Sequence, residues 1–172
     1  MDALKNLKER RSIRRYKADM LPREVIETIV EAGTYAPTGK NRQSPIIIAV
    51  TNKELRDKMS ALNAKVLGSD SDPFYGAPVV LVVLADRANT NHVYDGSLVM
   101  GNLMLAAHAM GIGSCWINRA REVYDTPEGK EILASLGIEG DYEGVGNCIL
   151  GYIDGDVPAA APRKENYVYF VE

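Results

Sequence analysis

Cysteine and histidine are scarce in this sequence, and their scarcity argues against several kinds of site. The 172 residues include two cysteines, Cys115 and Cys148, and two histidines, His92 and His108. The cysteines form no Cys-x-x-Cys pair and stand in apolar, strand-like surroundings, where free buried thiols are more common than a disulfide or a redox pair. The histidines have no metal-ligand spacing. We therefore predict no metal site, and free cysteines in a reducing compartment.

Long apolar runs are also missing. No run approaches the ~18 residues of a membrane-spanning helix, and the opening residues, MDALK, lack the apolar core of a signal peptide. We expect a cytoplasmic protein without a membrane partner. The apolar fraction of 46% and the charged fraction of 25% are typical of globular proteins. The length and the absence of a linker favour a single domain over residues 1–172.

Acidic residues are rare at one end of the chain. Residues 1–17 contain seven basic and two acidic residues and have a net charge of +5, whereas the whole chain has a net charge of −3. A nucleic-acid binder normally spreads its basic residues over a face of the domain. Because the excess is confined to one short segment, we predict a site for one small anion and no nucleic-acid partner.

Hydrophobic periodicity and turn residues predict alternating helices and strands. Helices are expected at about 2–9, from Pro22 to Gly33, at 53–66 behind the cap Asn52, at 91–110 and at 126–136. Strands are expected at 45–51, 77–85, 112–117 and 145–153, with 167–171 as a candidate fifth, and the strands at 45–51 and 77–85 are predicted to be buried. The helix at 91–110 has no wide polar face and is predicted to be buried all round, which suggests a subunit interface.

The basic segment at residues 10–16, RRSIRRY, is the first candidate for chemistry. If this segment is extended, alternation places Arg10, Ser12 and Arg14 on one side. Two guanidinium groups beside a hydroxyl suit a phosphate ester, because each guanidinium fork matches phosphate oxygens. Taken alone, the segment is better explained as a solvated basic stretch at the end of a helix.

Three further segments place polar groups near predicted strands. The loop at 36–45, APTGKNRQSP, offers donors to a flat heterocycle, but it is equally consistent with an ordinary connector. The run at 111–118, GIGSCWIN, lacks the third glycine of a dinucleotide fingerprint and leads from helix to strand, the opposite order. No separate NAD(P) fold is therefore predicted, and Trp116 is a neighbour of a cofactor or an ordinary core residue. The pair Arg163 and Lys164 alone suggests a solvated turn.

Six short motifs, taken in order, resemble those of the nitroreductase family. They are RRSIR at 10–14, APTxxNxQ at 36–43, FYGAP at 74–78, GIGSCWI at 111–117, LGY at 150–152 and PRK at 162–164. Each motif is weak alone, but all six occur in the same order across nearly the whole chain. The chain is therefore identified as a member of the nitroreductase family.

The resemblance implies an α+β fold, with a central, mainly antiparallel sheet flanked by helices, in an intertwined homodimer with two FMN sites at its interface. It also implies an FMN-dependent oxidoreductase. Hydride would pass from NADH or NADPH to N5 of the flavin and then, in a ping-pong scheme, to a nitroaromatic compound, a quinone, a flavin or an enone. The flavin performs this chemistry, so no catalytic acid or base is expected among the side chains.

The matching motifs imply which residues contact FMN. The N-terminal segment would contact the phosphate, the ribityl chain and the pyrimidine edge of FMN, with Arg14 near N1 and O2. The PRK motif closes on the phosphate, the APTxxNxQ loop comes from the other protomer, and backbone of the GIGSCWIN run lies near the reactive ring. The implied FMN-binding residues are Arg10, Arg11, Ser12, Arg14, Pro37, Thr38, Asn41, Gln43, Trp116, Ile117, Asn118, Arg163 and Lys164.

Two departures from the family pattern leave the substrate open. Gln43-Ser44-Pro45 stands where many members have Gln-Pro-Trp, and the chain has little room for the helical excursion that covers the flavin in larger members. The sequence therefore selects neither the acceptor nor NADH over NADPH. Two alternatives remain: a flavin-consuming or dehalogenating relative of the same fold, and a non-catalytic FMN-binding protein.

Overall fold

The computed structural model describes residues 2–172 as an α+β arrangement of six helices and four strands. The helices are α1 Ala3–Glu9, α2 Arg23–Thr34, α3 Lys53–Leu67, α4 His92–Ala109, α5 Ala120–Asp125 and α6 Pro127–Ser135. The strands are β1 Pro45–Val50, β2 Val79–Asp86, β3 Gly113–Ile117 and β4 Tyr142–Gly151. Over residues 2–172, no helix combines the length and the apolar character needed to cross a membrane.

The four strands form one antiparallel sheet in the order β1-β2-β4-β3. The predicted α+β fold with a central antiparallel sheet is therefore confirmed. Val79 to Ala85 of β2 are completely buried, because helices cover both faces of the sheet. A register shift beside Val83 leaves Val145 of β4 outside the ladder, since Val83 pairs with Gly146 and Leu84 pairs with Gly144.

Two apolar cores, one on each face of the sheet, hold the layers together. On one face, Met59 of α3, Tyr124 of α5 and Ile132 of α6 belong to the core of Val80 and Val82. On the other face, Ile29 of α2 and Leu103 of α4 belong to the core of Leu81 and Val83. Burying one such side chain stabilises the fold by about 1.5–3 kcal/mol. The free cysteines are both buried, as predicted, and Cys115 and Cys148 belong to opposite cores.

Local sequence signals explain the ends of α3, but the prediction for Gly33 was wrong. The Asn52 side chain accepts from the Leu55 amide at 2.8 Å, and Gly68 ends α3 with φ 71°. Gly33 does not end α2: it lies within the helix, which continues to Thr34. A Cβ on Gly33 would lie 2.5 Å from Leu103 Cδ2. This glycine therefore allows α2 and α4 to approach each other closely.

Three other local predictions need correction. Helix α5 was missed, because its six residues are too few for a clear periodicity. Strand β1 is an edge strand that is only partly buried. Residues 167–171 are exposed and belong to none of the strands in the described chain.

Within the protomer, helix α4 is buried on one side only, since Tyr94 and Leu98 are 72% and 47% exposed. The prediction that a subunit interface buries the rest of this helix stays a prediction.

Candidate functional site

The basic N-terminal segment, residues 10–16, runs extended beside the sheet. Ser12 forms an isolated parallel bridge with Ser114 of β3, and Tyr16 forms an antiparallel bridge with Ile153. The Ile13 amide donates to the Ser114 carbonyl at 2.9 Å, and the Ile13 side chain is buried. Because side chains alternate along extended backbone, burial of Ile13 turns Ser12 and Arg14 to the opposite side.

The first two arginines of this segment have different surroundings. Arg11 Nη1 donates to the Lys8 carbonyl at 2.8 Å and to the Arg10 carbonyl at 2.7 Å, so this side chain closes the C-terminal end of α1. Arg10 Nη1 is buried and has no hydrogen-bond partner among residues 2–172. Burial, followed by the charge of Arg10, lowers the pKa of His108 on α4. The Arg10 charge therefore acts on His108 of α4.

Two further buried polar atoms, both on β3, also have no partner in the described part of the chain. They are Ser114 Oγ and Trp116 Nε1, whose residues are two apart and share one face of the strand. A cavity of about 170 Å³ opens beside Ser114 and is also lined by Arg11, Ile13 and His108. Buried polar atoms in folded proteins are nearly always hydrogen-bonded. The unpartnered atoms of Ser114 and Trp116 are therefore candidates for contacts with a ligand rich in oxygen or nitrogen.

The loop before β1 holds three non-glycine residues in left-handed backbone: Lys40, Asn41 and Gln43 have φ of 55°, 52° and 51°. Within the loop, the Gln43 amide donates to Thr38 Oγ1 at 3.0 Å, and Gln43 Nε2 donates to Asn41 Oδ1 at 3.2 Å. Each left-handed residue costs roughly 1–2 kcal/mol. Strain of this kind is often found at binding sites. The two hydrogen bonds keep Thr38, Asn41 and Gln43 together on the surface.

Asp95 of α4 anchors this loop. The carboxylate is 4% exposed, and its Oδ1 accepts from the Gly39 amide at 2.9 Å. Asn91 packs against the same glycine, because a Cβ on Gly39 would lie 2.7 Å from Asn91 Nδ2. The sequence predictions missed Asp95, and the available signal was a carboxylate within an otherwise apolar helix.

The end of β3 presents residues 116–118 at the edge of the sheet. Trp116 is partly buried and Asn118 is exposed. Asn147 Nδ2 of β4 donates to the Ile117 carbonyl at 3.3 Å, and Gly146 leaves room for the indole, since a Cβ there would lie 2.7 Å from Trp116 Nε1. The strand end is therefore fixed by β4, while Asn118, which follows the strand, is exposed to solvent.

The predicted cations near the C-terminus lie apart from the rest of the site. Residues 154–172 are exposed throughout. Arg163 Nη2 donates to the Ala161 carbonyl at 2.7 Å, and Lys164 Nζ lies 5.4 Å from the ring centre of Tyr167. The structure thus brings the N-terminal segment and β3 together but does not bring Arg163 and Lys164 to them.

One groove of the structure is lined by none of the predicted site residues. It has a volume of about 610 Å³ and lies between α2 and the free edge of β1, with Leu21, Ile26 and Val30 in its lining. A second cavity, of about 330 Å³, is lined by Thr38 and Gln43 together with Val99 of α4. The volume of a groove alone therefore does not single out the predicted site residues.

The chain belongs to the nitroreductase family, whose pattern matches residues 7–71 and 63–152. A nitroreductase from Bacteroides fragilis, crystallised with bound FMN, aligns over 100% of both chains with a TM-score of 0.91 and 28% identity. A Methanothermobacter thermautotrophicus protein, whose name pairs NADH dehydrogenase with NAD(P)H nitroreductase, is 31% identical over 67% of this chain. An FMN reductase [NAD(P)H] from Bacillus subtilis is 29% identical over 70% of this chain. The matched regions span 60% and 55% of the length of these two relatives.

Proposed function

We propose that this protein is an FMN-dependent oxidoreductase that uses NADH or NADPH. Three buried atoms without a partner among residues 2–172 carry the proposal: Arg10 Nη1 of the N-terminal segment, and Ser114 Oγ and Trp116 Nε1 of β3, the strand to which Ser12 of that segment is bridged. A guanidinium, a hydroxyl and an indole N–H are all donors, and a flavin mononucleotide has acceptors along its whole length. The FMN bound by the B. fragilis nitroreductase supports the same choice.

The N-terminal segment and the C-terminal tail would bind the phosphate end of FMN. Ser12, which is bridged to β3, would supply a neutral donor and Arg10 a charged one, and Arg163 and Lys164 would add two cations from the exposed tail. Arg11 has its Nη1 hydrogen-bonded to carbonyl oxygens at the end of α1, so its contribution is the shape of the segment. A terminal phosphate monoester suits these donors, and FAD should bind less well than FMN.

Other residues would orient the ring system. Arg14 is exposed beside the N-terminal bridge to β3 and is assigned to the pyrimidine edge near N1 and O2. The backbone of Trp116, Ile117 and Asn118 is assigned to the reactive ring. Pro37, Thr38, Asn41 and Gln43, held in a fixed loop by Asp95, would contact the FMN of the other protomer.

Bound FMN would supply the redox chemistry, taking hydride from NAD(P)H at N5 and passing it to a small acceptor in a ping-pong scheme. The protein's residues would supply binding and orientation, and none is assigned as a catalytic acid or base. The acceptor classes are nitroaromatic compounds, quinones, flavins and enones.

We also propose a homodimer of single-domain protomers in the cytoplasm. Leu4 and Leu7 of α1 and Leu98 of α4 are 64%, 58% and 47% exposed, which is costly for a monomer. The tail adds Tyr169 and Phe170 at 79% and 89% exposure, so each tail would pack on the other protomer. Two free buried cysteines fit a reducing compartment.

The deciding experiment is cofactor analysis followed by a turnover assay. The purified protein should be yellow and should release one FMN per chain on denaturation. NADH or NADPH oxidation should depend on added menadione or a nitroarene. A colourless protein that refuses FMN would overturn the proposal. FMN binding without any NAD(P)H oxidation would favour a non-catalytic binding protein, and consumption of the flavin or loss of halide from a halogenated substrate would favour the other relatives.

A further inference from the structure

The turn that leaves β3 has backbone geometry that is unusual for its residue. Arg119 has φ 72° and ψ 12°, in the left-handed region, which side chains with a Cβ rarely adopt. Arg119 is also the N-cap of α5, yet its side chain makes no capping hydrogen bond. Such geometry persists only where the surrounding structure enforces it.

Asn63 of α3 holds this turn from one side. The residue is 1% exposed. Its Nδ2 donates to the Asn118 carbonyl at 2.9 Å, and its Oδ1 accepts from Arg119 Nε at 2.9 Å. Both ends of one buried amide are therefore bonded to two consecutive residues of the turn.

Strand β4 closes on the same turn from the other side. A Cβ on Gly144 would lie 2.4 Å from the Ala120 carbonyl oxygen and 2.8 Å from the Arg121 amide nitrogen. Gly144 lies at the register shift of β4. Only a glycine lets the backbone of the turn lie this close to the strand, so α3 and β4 together fix its position.

We infer that Asn63 is a positioning residue for the reactive edge of the flavin. It would act through Asn118 and Arg119, because it is buried behind the turn while Asn118 is exposed. The inference rests on the proposed function, which assigns residues 116–118 to the reactive ring. Asn147 donates to the Ile117 carbonyl and β3 pairs with β4 independently of Asn63, so replacing Asn63 should release the turn and leave β3 paired.

The test compares Asn63→Ala, Arg119→Gly and the double variant. In the protein without FMN, amide hydrogen exchange of residues 116–121 should be about tenfold faster in Asn63→Ala, with other segments unchanged. In the FMN-loaded protein, the rate of reduction by NAD(P)H should fall about tenfold, whereas FMN affinity should change less than about threefold, because the phosphate end is untouched. Arg119→Gly removes the backbone strain, so the double variant should recover both readouts.

Ser60→Ala is the matched control. Ser60 lies one turn before Asn63 on α3 and is also buried, but its hydroxyl bonds to Asp72 instead of the turn. This variant should leave both exchange at 116–121 and the reduction rate unchanged.

Three results would overturn the inference. Faster exchange across the whole chain, without recovery in the double variant, would make Asn63 an ordinary core residue. Faster exchange confined to 116–121 with an unchanged reduction rate would show that the turn lies away from the reactive ring. A wild-type chain that takes up no FMN would overturn the proposed function as well as this inference. Hydrogen exchange of the FMN-free protein still reports whether Asn63 holds the turn, so a failure of the proposed function can be told apart from the first two results.

Discussion

Arg10 and Arg11 are neighbours of equal charge, and the structure separates their roles. Arg10→Ala removes a buried charged donor that lacks a protein partner, and the loss of such a bond costs roughly 1.5–3 kcal/mol. We expect FMN affinity to fall about ten- to a hundredfold. Arg11→Ala is the control, because it removes the same charge from a side chain bound to carbonyl groups of α1. Equal losses of affinity, measured by fluorescence titration, would contradict this assignment.

We expect Arg14 to affect the reduction potential of bound FMN more than the affinity for FMN. Reduction adds negative charge near N1 and O2, so a cation there favours the reduced form. Arg14→Ala should lower the reduction potential of bound FMN, whereas the FMN that Arg10→Ala retains should keep a nearly wild-type potential. Reductive titration at saturating FMN measures both values. A wild-type potential in Arg14→Ala would place this residue away from the pyrimidine edge.

Asp72 should make stability depend on pH. Partial burial raises its pKa, but hydrogen bonds from Ser60, Arg56 and the amides of Gly76 and Phe74 outweigh burial, and the pKa lies below its usual value. A lowered carboxyl pKa contributes stability that is present above the unfolded-state pKa and is lost as pH falls through the folded-state pKa.

We therefore expect Asp72→Asn to lower the free energy of unfolding by roughly 1–2 kcal/mol at pH 7, a modest figure because the carboxylate is partly exposed. The difference from wild type should shrink towards pH 3. Urea unfolding at pH 7, 5 and 3 provides the measurement. A difference that stays constant over this range would show that the carboxylate charge is not responsible.

Individual site residues were predictable to very different degrees. The order of the short motifs predicted Arg10 and Ser12 as site residues, and the structure bridges Ser12 to β3. Asp95 and Asn63 escaped prediction because each acts on a residue more than fifty positions away, namely Gly39 and Asn118. Contacts between residues so far apart in sequence depend on how the helices pack on the sheet, and no local sequence pattern predicts this packing.

At the scale of secondary structure, α4 has two different apolar faces. Leu103 is completely buried in the protomer, whereas Leu98 is 47% exposed. Leu98→Asp should preserve folding, dissociate the dimer and release FMN. Leu103→Ala should instead lower the free energy of unfolding by about 2–5 kcal/mol, because it leaves a cavity in the core. Sedimentation and thermal unfolding distinguish the two outcomes, and a dimeric Leu98→Asp would remove this face of α4 from the interface.

Strong local sequence signals located most helices and strands, whereas features that depend on packing between these elements were not predicted. The Asn52 cap and the apolar run of β2 fixed α3 and β2 closely. Gly33 was misassigned because a glycine near the end of a helix fits two roles, a cap or a close approach, and only the position of Leu103 distinguishes them. Helix α5 was missed because six residues give too little periodicity.

For the whole molecule, neither the order of the strands in the sheet nor the packing of the tail can be predicted from local sequence signals. Strand β4, the last in sequence, lies between β2 and β3 and pairs with both. This strand order depends on how all the connections between the strands are arranged. The tail at 154–172 carries apolar side chains that stay exposed in the protomer. In the proposed homodimer, the other protomer would cover these side chains.

The tail therefore gives the last prediction, which separates its two proposed roles. Arg163→Ala with Lys164→Ala keeps the apolar residues, so the dimer should remain while FMN affinity falls about ten- to a hundredfold. Tyr169→Ser with Phe170→Ser keeps both cations but removes two side chains that are 79% and 89% exposed in the protomer. This variant should weaken the dimer first and lose FMN only as the protomers separate. Sedimentation and FMN titration over a range of protein concentrations measure both effects. If the serine variant lost FMN while still dimeric at high concentration, the tail would act on the flavin directly and not through the interface.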